Sequence, residues 1–150
     1  MTNPSPRFRP KNPLPSPYLP DGRYGLMHLP RLMEKLVRLR EGRLEPYYQP
    51  TVGQGFDRML GEHLGVPMKV FQEVAGSWAR APEEALERLR EWLPDDPKPE
   101  RWNRRLVQRG LWGYGRFRLE RRKEALGLSH RTEIRTMIDL IEFVEGRGEG

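Results

Sequence analysis

The chain contains no cysteine, so disulfides, thiolate nucleophiles and thiolate metal ligands are excluded, and the composition fits a reducing compartment. Its three histidines, His28, His63 and His130, lie far apart and match neither a His-Glu-x-x-His helix nor a Cys/His spacing. No metal site and no cofactor is therefore expected. No apolar run approaches the ~18–20 residues that span a bilayer, and the first 25 residues have no hydrophobic core of the signal-peptide kind. These absences predict a soluble cytoplasmic protein that does not enter a membrane. Alternating β-branched runs are scarce, which argues against a sheet. The glycines of Val52-Gly53-Gln54-Gly55-Phe56-Asp57 follow no strand pattern and lack both the third glycine of a dinucleotide fingerprint and the lysine of a P-loop.

What the chain does have is proline, glycine and arginine. Seven of its 15 prolines fall in residues 1–20. Proline has no N–H to give to a helix or sheet, so this stretch reads as an extended basic tail or a strap, its end docked by Tyr18 and Leu19. The net charge of +6 is unevenly spread: residues 98–131 hold eleven Lys or Arg against three Glu, while 57–97 and 132–150 are acidic. Arginine outnumbers lysine 22 to 5, a bias that suits planar contacts with phosphate or carboxylate and equally suits a GC-rich genome.

Helix signals fill the remainder. Pro30 suits a helix start and Gly42 the residue beyond its end, with Leu29, Leu32, Met33, Leu36, Val37 and Leu39 on one face and Arg31, Lys35 and Arg38 on another. Further helices are predicted up to Gly65, from Val66-Pro67 to near Gly76 with Trp78 in the connection, from Pro82 through Leu93, and from Glu100 to Gly110. A charged helix follows from Leu119, and a last one is capped by Ser129. The sequence thus predicts an all-α fold, a single compact bundle of about six or seven helices. Its divisions are a Pro-rich tail at 1–20, one helical domain at 21–147 and a frayed end at 148–150.

An ordered set of short matches runs along the chain: Ser16-Pro17, Leu29-Pro30-Arg31, Glu34-Lys35, Gly42, Tyr47-Tyr48 and Gly55-Phe56-Asp57, then Trp102-Asn103, Arg109-Gly110, Gly127-Leu128, Arg131, Ile134 and Asp139. From Ser16 to Arg147 this pattern resembles the bacterial family known as domain of unknown function 5069. The resemblance implies a small helical protein and brings no established activity, cofactor or catalytic residue. Glu34 stands where the pattern favours Asp, and Gly113-Tyr114-Gly115 replaces a more acidic stretch.

Two regions are candidates for function. In the first, part of a basic region at 101–123, Arg104, Arg105, Arg109, Trp112, Tyr114, Arg116, Phe117 and Arg118 alternate rings with guanidinium groups around three glycines. That composition suits stacking on bases and contact with phosphates, so nucleic acid or an acidic protein is the expected partner. The bland reading of the same residues is a tight turn pinned by a buried Trp112, with the arginines merely solvating a helix. In the second, a cleft between helix 30–41 and loop 47–57 would hold a small anionic ligand, or act as an enzyme. There Arg31 and Lys35 would hold the anion, Glu34 or Asp57 act as base and His28 carry the proton, with Tyr47 or Tyr48 on the wall.

Overall fold

A short polar turn built on Asp21 leads into the first helix of this chain. In the computed structural model, which describes residues 9–147, the buried Asp21 carboxylate accepts hydrogen bonds from the backbone N–H groups of Arg23, Tyr24 and Leu26 at 2.9, 2.5 and 2.8 Å. Pro20 and Met27 form an isolated antiparallel bridge across this turn. The chain then passes through His28, whose φ of 73° is in the left-handed region, into α1 (Leu29–Arg40). A short 3-10 turn at Gln49–Thr51 precedes α2 (Phe56–Leu64) and α3 (Met68–Arg80). Next come α4 (Pro82–Leu89), α5 (Pro99–Gln108), α6 (Gly113–Ala125) and α7 (Met137–Val144). The fold is all-α: among the described residues there are seven helices and no strand. No helix among them is long and apolar enough to cross a membrane. The proposed tail residues 1–8 and frayed end 148–150 lie outside the described residues.

The helices gather into two compact units. Leu14–Asn103 form one, with Leu29, Leu32, Met33, Leu60, Phe71, Leu89 and Trp102 at its centre. Trp102 donates its indole N–H to the Met27 carbonyl at 2.8 Å. Asn103 accepts from Met27 N at 2.9 Å and donates to the Gly25 carbonyl at 2.9 Å. One dipeptide therefore clamps the segment that aims α1. The strap docks here through Leu14, packed with Leu44 and Tyr48, and through the buried Pro17. Tyr18 and Leu19, expected to dock, are exposed because they lie on the turn beyond the buried Pro17.

Described residues 9–13 and 104–147 belong to the second unit. Leu119, Leu128, Ile134, Leu140, Phe143 and Val144 form its core. Gly110, at φ 106°, brings the chain against the start of α7, where a Cβ would meet Met137 N at 3.1 Å and Thr136 Cα at 3.2 Å. Four helix boundaries differ from the sequence reading. α4 ends at Leu89, four residues before Leu93, and leaves Trp92 exposed; Leu39, expected on the apolar face of α1, is exposed as well. α3 continues through Gly76 and Trp78 to Arg80, ending where Ala81 turns extended before Pro82. α6 starts at Gly113, six residues before Leu119. The last helix is capped by Thr136 rather than Ser129, because Thr136 and Asp139 satisfy one another's backbone N–H groups in a reciprocal box that Ser129 lacks.

Candidate functional site

On α6 the apolar and charged side chains do not separate into two faces. An ordinary surface helix hides its rings, yet Trp112, Tyr114 and Phe117 are 65%, 68% and 56% exposed. Positions 114, 117 and 121 share one side of a helix by their spacing of three and four. The rings of Tyr114 and Phe117 accordingly stack, with centroids 6.1 Å apart and planes 19° from parallel. The Arg121 guanidinium continues the column over Phe117 at 5.8 Å. Trp112 is thus no buried pin for the turn.

Every arginine expected in this region, Arg104, Arg105, Arg109, Arg116 and Arg118, is exposed. Among the described residues, neither these five nor Arg121 and Arg122 form an ion pair with a carboxylate. Some arginines elsewhere on the surface do find acids: Arg58 meets Glu62 at 2.9 Å and Arg43 meets Glu41 at 2.5 Å. Sequence reading named the region but not Arg121 individually, although its spacing from Tyr114 and Phe117 was the available signal.

The second candidate set divides. His28, Lys35 and Asp57 come together in the interior: His28 Nε2 is 2.7 Å from Asp57 Oδ1, and Lys35 Nζ donates to Oδ2 at 2.8 Å. Gly53 N also donates to Oδ2, at 3.1 Å. The carboxylate thereby ties α1, α2 and the loop between them. Burial alone would raise the Asp57 pKa, but hydrogen bonds and charge from His28 and Lys35 hold it below the usual carboxylate value. Burial pushes the His28 pKa down against the pull of Asp57. An ionised Asp57 accepts, so the neutral imidazole carries its proton on Nε2. Its Nδ1 is buried without a hydrogen-bond partner. A bare ring nitrogen on a carboxylate-oriented imidazole has the chemistry of a general base, yet the His28 side chain is only 3% exposed and edge-packed against Phe56 at 5.8 Å.

The other members of that set have separate occupations. Arg31 donates to the Pro15 carbonyl at 3.1 Å and lies 5.5 Å from the centre of the Tyr48 ring. Tyr48 is buried, its hydroxyl accepting from Leu14 N at 3.0 Å, and Tyr47 meets it edge-on from a partly exposed position. Glu34 accepts from Arg38 at 3.0 Å, one turn along α1. Arg31, Lys35 and Asp57 thus serve interior contacts, with no open cleft needed to explain them. Among the described residues, no group of three His, Cys, Asp or Glu side chains is placed to hold a metal ion.

Among the described residues, seven helices carry an exposed ring-and-guanidinium face and a buried Asp-His-Lys cluster, and define a small all-α protein. A family model described as a domain of unknown function, DUF5069, matches residues 11–147, and the chain belongs to that family. No curated protein and no solved structure gives a significant match.

Proposed function

We propose that this chain is a non-enzymatic nucleic-acid-binding protein, and that the α6 face takes single-stranded RNA or DNA. The observation that carries the reading is the exposed column of Tyr114, Phe117 and Arg121 beside Trp112, set among arginines without carboxylate partners. Flat rings stack on bases of any identity, at about 1–3 kcal/mol per base, while guanidinium groups meet the phosphates between them. A single strand offers splayed bases to such a face, whereas a duplex keeps its bases stacked inside. A cytoplasmic setting, proposed on the cysteine-free composition, gives the face access to RNA.

The test is fluorescence anisotropy with a labelled single-stranded oligonucleotide and the full chain. Replacing Trp112, Tyr114 and Phe117 together by Ala is expected to weaken binding at least tenfold, on the order of one lost stacking contact or more. Melting temperature should hold, since all three rings are exposed. Binding that is absent at low salt, or that survives this triple change, overturns the reading; capture of an acidic protein by the same face would then replace it.

A further inference from the structure

α3 accepts a glycine in its middle at position 76, and the space so left is occupied by an arginine. A Cβ built on Gly76 would lie 3.0 Å from Arg40 Nη1, 3.4 Å from Cζ and 3.7 Å from Nη2. The Arg40 guanidinium therefore lies across the bare helix surface that any side chain would cover. The next residue seats a second arginine: the buried Ser77 hydroxyl accepts from Arg88 Nη1 at 2.7 Å. Both groups line a groove of about 580 Å³ at the end of α1 and along α3, with Arg80, Glu41 and Glu73 also on its wall.

The acids next to these arginines in sequence are paired with other arginines, although Glu41 also lines the groove. Glu41 pairs with Arg43, and Glu87 with Arg23 and Arg90. Among the described residues neither Arg40, Arg80 nor Arg88 forms an ion pair, and neither does Glu73. Three guanidinium groups, that of Arg88 held by the Ser77 hydroxyl, thus outnumber the two carboxylates, Glu41 and Glu73, on the wall of one groove, and none of the three is ion-paired among the described residues. Guanidinium presents a planar fork of donors that matches phosphate oxygens two at a time.

We propose that this groove is a binding site for a small phosphorylated molecule. Its phosphoryl group sits among Arg40, Arg80 and Arg88, its neutral part lies over Val37 and Ala79, which also line the groove, and a hydroxyl or amino group reaches Glu73. The site belongs to the unit of Leu14–Asn103 and does not rest on the α6 reading.

Isothermal titration of the full chain with ribose 5-phosphate, inorganic phosphate and succinate, at matched ionic strength, tests it. Ribose 5-phosphate is expected to bind saturably and most tightly, inorganic phosphate more weakly and succinate weakest. The decisive variant is Arg40→Ala, because Arg40 is exposed and forms no ion pair among the described residues, so the melting temperature should hold while the guanidinium is removed. It should weaken ribose 5-phosphate at least tenfold, as should Arg88→Ala, the scale of a lost hydrogen bond to a charged group. No saturable binding by any probe, or equal affinity in wild type and Arg40→Ala, overturns the proposal. So does affinity lost only in Arg116→Glu/Arg118→Glu, which would assign the phosphoryl contact to α6 and its nucleic acid.

Discussion

The Asp57 cluster and the α6 face invert each other. Around Asp57 the chain buries charge and pairs it, through His28 at 2.7 Å and Lys35 at 2.8 Å. Along α6 it exposes rings and leaves arginines without acids. Each choice carries a cost. Charge taken from water must be compensated by hydrogen bonds and opposite charge, whereas an exposed large ring forgoes about 1.5–3 kcal/mol of burial. The chain buries Trp102, Tyr48 and Phe71 completely or nearly so, so a shortage of interior positions does not account for the rings on α6. A paired interior charge organises the fold; an unpaired exposed one is available to a partner.

The largest effect should come from breaking the interior side. Asp57→Ala strands Lys35 without its carboxylate and is expected to cost about 3–5 kcal/mol in urea unfolding. Its neighbour Arg58, exposed and paired with Glu62, should cost no more than about 0.5 kcal/mol when changed to Ala. Similar losses at the two positions would dissolve the contrast.

Acid should reach the interior first through His28. Its pKa is lower folded than unfolded, so on acidification the unfolded chain takes the proton first. Its stability contribution is complete above about pH 6.5 and falls below it, by at most ~1.4 kcal/mol per pH unit. Asp57, also lowered, adds a loss in a more acidic window, below its ordinary value of 3.8. His28→Gln should flatten the stability profile between about pH 5 and 6.5; an unchanged slope would show that the imidazole is not held neutral.

A smaller change sharpens the other side. Thr136→Ala removes one half of the cap on α7 and should cost about 1 kcal/mol without altering oligonucleotide affinity. Lost affinity at full occupancy of the folded state would mean that the α6 face depends on the α7 cap directly.

The sequence made α1 legible through Pro30, Gly42 and a one-sided apolar pattern, because local chemistry alone decides such a helix. It misplaced the ends of α3 and α4 and the start of α6; Gly76 read as a stop signal and Gly113 as part of a turn. In the structure Gly76 is a seat for Arg40, and Gly113 starts a helix. No periodicity reveals that kind of tertiary use. Similarly, Asp57 is adequately explained in sequence by the dipole of α2, and its bonds to His28 and Lys35 arise from residues 29 and 22 positions away. The α6 residues were legible as a composition, but only the fold could show that Trp112 faces water.

The salt dependence of single-stranded oligonucleotide binding tests the central claim most directly. Between about 50 and 200 mM salt, log affinity should fall against log salt with a slope near −0.7 for each phosphate neutralised. Three or four contacts on α6 therefore predict a slope of roughly −2 to −3. Arg116→Glu/Arg118→Glu should make that slope shallower as it weakens binding. A flat salt response, or an identical slope in the reversed variant, would contradict the assignment of the α6 face to nucleic acid.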